Sequence, residues 1–342
     1  MALRRAAADA ALLFGLGPRS SPVGLGYTLL HQELETRLAD LKGAESCLLF
    51  SSGFAANMAV MSALGGGKDA AIFSDELNHA SIGTLHIYRH NDMAHLEELL
   101  QACKSCPRKL LVSDSVFSMD GDFADFEGLV RLRRKYGFLL ALDEAHATLV
   151  CGPRGGGAAK AFGISEEVDL HIGTLSKAVG AHGGFVACRS ELKTLLINRG
   201  RSYIFSTALP APVVAAAIAA LKVNEEEPER REHLWKLVRR VGEVLGVEVW
   251  SPIVVLIVGS EAAAVSYSAV LLKKGFYVPA IRPPAVAPGT SRLRISLSAA
   301  HTIEDVDALL AAIKESGIVY TGLEPTFVSS SAKQDVVVIS KL

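Results

Sequence analysis

Between residues 31 and 220 the sequence alternates short apolar or β-branched runs with amphipathic segments. This alternation is typical of an α/β domain, in which a mainly parallel sheet lies between layers of helices. Apolar residues at helical spacing, with charges on the opposite face, predict helices over His31–Lys42 and Phe126–Tyr136. The predicted strands are Ser46–Phe50, Ala70–Ser74, Lys109–Asp114, Phe138–Asp143, Leu170–Thr174 and Gly184–Cys188.

The pattern changes after Leu221, where a charged segment predicts a helix over Lys222–Arg240. Because 342 residues exceed one core of ordinary size, we expect two domains. The predicted division gives a large domain over 1–221, a small α+β domain over 222–322 and a disordered tail over 323–342. The elements predicted for the small domain are strands Ile253–Val258 and Arg292–Leu297 and helices Ala262–Lys274 and Ile303–Glu315.

Composition and charge exclude several classes of function. The formal net charge of -1 offers no overall basic field for nucleic acid or for an anionic membrane surface. The apolar run from 213 to 221 is far shorter than the roughly 20 residues that cross a bilayer. We therefore expect a soluble globular protein that binds neither nucleic acid nor membrane.

The five cysteines form an odd and sparse set, which predicts free thiols in a reducing compartment. Cys103 and Cys106 have a spacing found in metal and redox sites. No second Cys or His pair lies at a zinc-site interval in the sequence, so this spacing alone does not indicate a metal site. We predict no metal site and no disulfide.

Two polar segments, 143–146 and 174–177, begin where predicted strands end. The first has the sequence Asp-Glu-Ala-His, and the second has the sequence Thr-Leu-Ser-Lys and precedes a stretch of small residues over 178–184. Because buried parallel strands deliver polar groups at their carboxyl ends, an aspartate, a histidine and a lysine are expected to lie together. Pyridoxal 5'-phosphate (PLP) requires such a set: an amine for the Schiff base, a carboxylate for the pyridine nitrogen and a polar partner for the phenolic oxygen.

These segments belong to a longer series of motifs between residues 17 and 302. In order and spacing the series resembles the α-oxoamine synthase family of fold-type-I PLP-dependent enzymes, and within it the members that act on L-alanine and pimeloyl-CoA. The resemblance implies a large domain with a mainly parallel sheet flanked by helices, plus a smaller C-terminal α+β domain. The motifs are Ser52–Asn57, Asn78–Ser81, Val116–Asp122, Asp143–His146, Gly173–Lys177, Tyr203–Thr207 and Ala280–Pro284.

The resemblance implies catalytic roles for four residues. Lys177 would form the Schiff base with PLP, and Asp143 would hold the pyridine nitrogen protonated. His146 would hydrogen bond the phenolic oxygen, assisted by Ser118. His79 would stack on the face of the cofactor.

The resemblance also implies how the phosphate of PLP is held. Gly53 and Phe54 open a predicted helix whose N-terminal amides would bind the phosphate together with the Thr174 hydroxyl. Ser206 and Thr207 would reach the phosphate across a dimer interface. A homodimer with shared active sites is therefore implied.

Two arginines match positions that bind the substrates in this family. Arg294 would clamp the carboxylate of the amino acid through a bidentate pair, and Arg282 would line the acyl side of the site. The implied reaction is the decarboxylative condensation of L-alanine with pimeloyl-CoA, which gives 8-amino-7-oxononanoate, CoA and CO2 in biotin biosynthesis.

Alternative functions remain open, both within the α-oxoamine synthase family and outside it. The 2-amino-3-ketobutyrate ligases, 5-aminolevulinate synthases and serine palmitoyltransferases share the PLP site and differ in amino acid and acyl chain. Residues 281–284 together with 292–294 favour the L-alanine and pimeloyl-CoA reaction. A partner subunit without catalytic activity is the alternative from another class, and retention of Lys177 argues against it.

We expect three departures from the family pattern, and binding of the acyl substrate is the function that they would affect most. We expect the chain to lack a family N-terminal segment that carries an arginine, to be shortened between His79 and Asp92, and to have an altered loop over 18–26. At the other terminus, Ser340-Lys341-Leu342 matches the peroxisomal targeting signal. We therefore expect the protein in the peroxisome or in the cytosol.

Overall fold

A computed structural model describes residues 1–66, 69–79 and 86–323. The chain forms two compact units. The first contains Met1–Ser115 and Ala124–Pro228, and the second contains Val116–Phe123 and the described residues from Glu229 onward. The predicted tail, apart from residue 323, lies outside the described residues, as do Ala80 and Ser81 of the second motif.

The first unit contains nine α-helices, two short 3-10 helices and seven strands among the described residues. All six predicted strands are present, with ends within one residue of the prediction. In chain order the elements are α1 (Ala2–Phe14), α2 (Leu29–Lys42), β1 (Ser46–Phe50), α3 (Gly53–Leu64), β2 (Ala70–Asp75), β3 (His86–Tyr88), α4 (Met93–Ala102), β4 (Arg108–Asp114), α5 (Phe126–Tyr136), β5 (Leu139–Asp143), α6 (Ala158–Ala161), β6 (Leu170–Thr174), β7 (Gly184–Cys188), α7 (Ser190–Arg199), α8 (Arg201–Ile204) and α9 (Ala211–Glu226).

The seven strands form one sheet in the order β1-β7-β6-β5-β4-β2-β3. β7 runs antiparallel to β1 and to β6, and the remaining neighbours are parallel. Asp114 of β4 lies opposite Asp143 of β5, which lies opposite Ile172 of β6. The predicted mainly parallel sheet is therefore confirmed, and the carboxyl ends of β4, β5 and β6 lie side by side.

Successive strand residues face opposite layers of the core, as the two-residue period of a strand requires. On β1, Leu48 and Phe50 belong to a cluster that includes residues of α3 and α7. Cys47 and Leu49 belong to another cluster with residues of α2 and α9. The sheet thus buries both faces, which explains why its strands read as continuous apolar runs.

Helix α5 shows how local sequence sets the ends of an element. The Asp125 side chain accepts the backbone N–H of Gly128 at 2.9 Å and caps the first turn. Gly137 follows the last turn with φ at 65°, a left-handed conformation that glycine adopts without steric cost. The helix therefore covers the predicted range Phe126–Tyr136.

The prediction of one helix over Lys222–Arg240 was wrong. α9 ends at Glu226, and a new helix begins at Glu229. Pro228 lies between them, and a proline disfavours helical conformation in the residue before it; Glu227 has φ -124° and ψ 60°. Contacts between residues divide the chain into its two units after Pro228, whereas the predicted division at Leu221 lies inside α9.

The second unit has the α+β composition predicted for the small domain. Its antiparallel sheet has the order β8-β10-β9, and Leu237, Leu256, Leu293 and Leu310 belong to its core. Among residues 1–66, 69–79 and 86–323, no helix combines the length and apolar character that crossing a membrane requires. The elements of the second unit are α10 (Glu229–Leu245), β8 (Ile253–Gly259), α11 (Glu261–Lys273), β9 (Ala280–Ile281), β10 (Ser291–Ser296) and α12 (Ile303–Glu315).

Candidate active site

Lys177 and His146 meet just beyond the ends of two neighbouring strands. The Lys177 Nζ lies 2.9 Å from Nε2 of His146. The turn that carries Lys177 is closed by hydrogen bonds from Gly180 N–H to the Lys177 carbonyl and from Ala181 N–H to the Leu175 carbonyl, at 2.9 and 2.8 Å. The structure therefore brings the predicted lysine and histidine together on a defined turn.

Asp143, the last residue of β5, is buried and held on both carboxylate oxygens. Oδ2 accepts the side-chain amide of Asn57 at 2.7 Å, and Oδ1 accepts the Ala145 N–H at 2.9 Å. Two such donors leave the carboxylate little freedom to rotate. Asn57, on α3, was not assigned a role from the sequence, although it closes the motif Ser52–Asn57.

Asp114 is a second buried carboxyl beside Asp143, and the sequence analysis missed it. Burial raises the pKa of Asp114 well above its usual value, and the neighbouring Asp143 charge raises it further. Both effects disfavour the charged form of Asp114. The sequence does carry a signal for Asp114, because a polar residue ends an apolar strand there, as Asp143 does on β5.

His79 is connected to this pair through backbone contacts. Its N–H donates to Oδ1 of Asp114 at 3.4 Å. Its neighbour Asn78 accepts the Asp114 N–H at 2.7 Å and donates to the Val112 carbonyl at 2.8 Å. The Asn78 amide thus ties the segment after β2 to β4 and sets the position of His79.

The N-terminus of α3 lies against Thr174 at the end of β6. The Ser52 side chain caps the helix by accepting the Ala55 N–H at 3.1 Å. A Cβ added to Gly53 would lie 3.2 Å from the Thr174 Cβ, so only a glycine fits there without displacing the threonine. The Phe54 side chain is exposed, so its role would rest on its backbone N–H. A helix N-terminus beside a hydroxyl suits a phosphate.

A buried ion pair lies directly behind Asp143, at the next residue. Lys42 Nζ donates to Glu144 Oε2 at 2.8 Å, to Thr148 Oγ1 at 3.0 Å and to the Gly156 carbonyl at 2.8 Å. His171 Nδ1 lies 3.0 Å from the same Glu144 oxygen. Burial would raise the pKa of Glu144, but the Lys42 charge and the His171 contact lower it to about 2. This network holds Glu144, and hence the chain beside Asp143, in place.

Ser206 and Thr207 follow α8 and line a cavity of about 10 Å³, room for one water molecule. Tyr27 and Glu35 line the same cavity. Glu35 is buried and accepts hydrogen bonds from Tyr27 Oη at 3.0 Å and from Lys193 Nζ at 2.8 Å. The structure thus places both predicted phosphate ligands beside a carboxylate that already has its partners.

Three predicted residues belong to the second unit. Arg294 Nε is buried and has no hydrogen-bond partner among the described residues. Arg292, two residues earlier on β10, pairs instead with the Asp120 carboxylate. Ser118 is half-buried in a loop, and Arg282 is exposed. Of the two β10 arginines, Arg294 therefore has a buried donor left for an anionic ligand.

Comparison with known sequences gives the family. The profile of the family described as Aminotransferase class I and II matches residues 7–313. An 8-amino-7-oxononanoate synthase of Arabidopsis thaliana is 50% identical over 336 residues, which cover 91% of this chain and 70% of that protein. The chain belongs to the 8-amino-7-oxononanoate synthase family. The resemblance found in the motifs is therefore confirmed.

Solved structures agree with membership of the 8-amino-7-oxononanoate synthase family. The enzyme of that name from Francisella tularensis has a TM-score of 0.78 at 26% identity and covers 92% of both chains. A structure of serine palmitoyltransferase (SPT) with PLP has a TM-score of 0.88 at 32% identity and covers 93% of this chain and 84% of that chain. The fold-type-I architecture is thus shown.

The residues of this 8-amino-7-oxononanoate synthase family member fit PLP. The donor set offers an amine on Lys177, a buried carboxylate on Asp143 and an imidazole on His146, at the ends of adjacent strands. At the α3 N-terminus the backbone of Gly53 lies so close to the end of β6 that an added Cβ would be 3.2 Å from the Thr174 Cβ. The amine, the carboxylate and the imidazole are therefore of the kinds that the aldehyde, the pyridine nitrogen and the phenolic oxygen of PLP require.

Proposed function

We propose that the protein catalyses the PLP-dependent decarboxylative condensation of L-alanine with pimeloyl-CoA to give 8-amino-7-oxononanoate, CoA and CO2, a reaction of biotin biosynthesis. One observation carries the proposal. Lys177 lies 2.9 Å from His146, at the strand end next to a doubly held Asp143, in a chain that is 50% identical to a named 8-amino-7-oxononanoate synthase.

PLP, when bound, supplies a protonated aromatic ring that withdraws electrons from the α-carbon of the amino acid. Asp143, whose carboxylate is fixed by Asn57 and by the Ala145 N–H, would hold the proton on the pyridine nitrogen through its charge. Lys177 would supply the amine that attaches the cofactor and would accept the α-proton of L-alanine. His146 lies 2.9 Å from that amine and would donate to the phenolic oxygen.

Binding is divided among other residues. The amides at the α3 N-terminus, Gly53 and Phe54, would hold the phosphate together with the Thr174 hydroxyl, which in this structure donates to the Gly183 carbonyl at 3.0 Å. Arg294 would bind the carboxylate of L-alanine, as its buried Nε without a partner supports. His79, held at its backbone by Asp114, would cover the ring of the cofactor.

The remaining assignments rest on the family resemblance. Ser118 assists at the phenolic oxygen, and Arg282 lines the acyl side, where its exposed side chain is accessible to a long substrate. In a homodimer, Ser206 and Thr207 reach the phosphate of the partner subunit. The neighbouring Phe205 is 71% exposed, as expected for a residue that a second subunit would cover.

We also propose that the protein is peroxisomal, on the basis of Ser340-Lys341-Leu342. Those residues lie outside the described part of the chain. A fluorescent fusion that retains the free C-terminus, compared with one in which Leu342 is removed, tests the assignment. Loss of punctate localisation in the second fusion alone is the expected result.

The experiment for the reaction measures free thiol released from pimeloyl-CoA by purified protein with PLP. L-alanine, glycine and L-serine are compared, and palmitoyl-CoA with L-serine tests the SPT-type reaction. Lys177→Ala is the inactive variant, and Lys222→Ala, which removes an exposed lysine of α9, is its matched control.

Release that depends on L-alanine and is lost only in Lys177→Ala supports the proposal. Release that is faster with L-serine and palmitoyl-CoA would move the assignment to the SPT type. Binding of PLP without thiol release from any pair would contradict the enzyme assignment and favour a partner subunit.

A further inference from the structure

Cys103 and Cys106 are joined by a tight turn at the end of α4. Cys103 is the residue directly after the helix, and the Cys106 N–H donates to the Cys103 carbonyl at 3.0 Å. In such a turn the first and fourth Cα atoms lie within about 7 Å, close to the range that a disulfide spans.

His86 supplies a titratable group at the same place. Its Nε2 lies 3.4 Å from Sγ of Cys103. The imidazole is stacked on Phe73, with ring centroids 5.1 Å apart and planes 21° apart, so its orientation is defined. The cluster of His86, Cys103 and Cys106 therefore contains two thiols and one base.

The cluster is separate from the candidate active site. β3, which begins at His86, is the edge strand, and β4 and β2 lie between it and β5. Three strand spacings correspond to about 14 Å. The proposed reaction uses none of the three residues.

The two cysteines differ in accessibility. Cys103 is buried, whereas Cys106 is half-buried and open to a small reagent. Lys109 Nζ donates to the Cys106 carbonyl at 2.8 Å and so fixes the turn that carries both cysteines.

We propose that Cys103 and Cys106 form a reversible disulfide by exchange with a small-molecule disulfide, and that His86 accepts the proton of Cys103 in the closing step. The proposal does not depend on the catalytic function assigned above. It departs from the expectation from sequence that this pair has no redox role, because the sequence did not show that His86 lies beside Cys103.

The reaction balances in two exchanges. The Cys106 thiolate attacks one sulfur of the reagent RSSR, which forms a mixed disulfide and releases RS⁻. Cys103 then transfers its proton to His86 Nε2 and attacks Cys106 Sγ, and the second RS⁻ leaves. Two protein thiols are oxidised to one disulfide, and RSSR is reduced to two thiols after protonation.

Cys103 requires a base because burial raises its pKa, and the neighbouring Cys106 raises it further. His86 Nε2 is the nearby acceptor when the imidazole carries its own proton on Nδ1. His86→Gln keeps a polar side chain of similar length and removes the base. The variant therefore separates proton transfer from packing.

The other cysteines serve as internal controls. Cys47, Cys151 and Cys188 are buried, and burial raises the pKa of Cys151 and of Cys188 to about 12. Burial also raises the pKa of Cys47. Such thiols are poor nucleophiles at neutral pH. They are expected to stay reduced in the folded protein.

The test treats the full reduced chain with oxidised glutathione, quenches the exchange with acid, and counts thiols by alkylation after unfolding. The expected product has lost two hydrogen atoms, retains three of its five thiols and carries no glutathione. Peptide mapping places the bond between Cys103 and Cys106, and dithiothreitol restores all five thiols.

Three variants resolve the steps. Cys103→Ser is expected to hold glutathione on Cys106, because the closing thiol is absent. His86→Gln is expected to accumulate the same adduct transiently and to close about 10²-fold more slowly, the lower end of the range for general-base catalysis. Cys151→Ser, which removes a thiol outside the cluster, is expected to behave as the parent protein does.

Two results would overturn the proposal. One is a parent protein that was folded during the treatment and in which all five thiols are still alkylated after unfolding. The other is a stable glutathione adduct on the parent protein that persists as in Cys103→Ser. If His86→Gln forms the disulfide as fast as the parent protein, His86 is not the base, and only the proposed disulfide between Cys103 and Cys106 remains.

Discussion

Asp143 and Glu144 are adjacent in sequence, yet they belong to two regions that use charge in opposite ways. The strand-end region around Asp143 includes Lys177 and His146, which are exposed or half-buried at the surface of the unit. In the buried region around Glu144, Lys42 Nζ donates three hydrogen bonds, and all three acceptors belong to the protein. Groups of the first kind lie where a ligand can approach them, whereas the loss of one partner from the second kind would leave a buried charge uncompensated.

The largest effect is expected from Lys177→Ala in the strand-end region. Loss of the amine that attaches the cofactor and moves the α-proton should lower kcat by about 10³-fold, within the range for proton transfer by a positioned side chain. Because Lys177 is exposed, the urea midpoint should be unchanged. A comparable loss of activity in Lys222→Ala would show that the effect does not belong to the site.

A second comparison uses the neighbouring carboxyls Asp143 and Asp114. Asp143→Asn should lower kcat/KM by about 10²-fold, because it replaces a charged acceptor at the pyridine nitrogen. Asp114→Asn should have little effect, since burial and the Asp143 charge already favour the neutral form of Asp114. Equal losses in the two variants would contradict this assignment of charge.

In the buried region, Lys42→Met should lower the free energy of unfolding by about 3–5 kcal/mol, because Glu144 is left buried without its cation. Urea denaturation followed by circular dichroism measures the change. The matched control is Arg240→Ala, which breaks an exposed 2.8 Å pair with Asp307 and should cause no measurable change. If the two variants lose similar stability, burial is not the deciding factor.

The smallest effect is a pH dependence that belongs to Glu144. Its pKa is lowered from 4.5 to about 2 in the folded protein, so its contribution to stability is present above pH 4.5 and is lost as the pH falls towards 2. The stability difference between the parent protein and Glu144→Gln should therefore shrink over that interval. A constant difference from pH 5 to pH 2 would show that the ion pair does not titrate there.

The sequence predicted the longer strands of the first unit well and the short or interrupted elements poorly. The six predicted strands are buried on both faces, so each appears as an apolar run. β3 and β9 have three and two residues, too few for a periodic pattern, and were not predicted. The charged segment after Leu221 looked continuous because side-chain periodicity does not report the backbone break at Pro228.

The sequence by itself determined the family and the fold, and it predicted Lys177, Asp143 and His146 as site residues, because motif order and strand ends are local properties of the chain. Only the tertiary structure showed that Asn57 holds Asp143, that Glu144 binds Lys42 across 102 residues of sequence, and that His86 lies beside Cys103. Burial and charge act through space, and their partners come from distant elements. The protonation and reactivity of these groups therefore depend on packing that no local pattern in the sequence records.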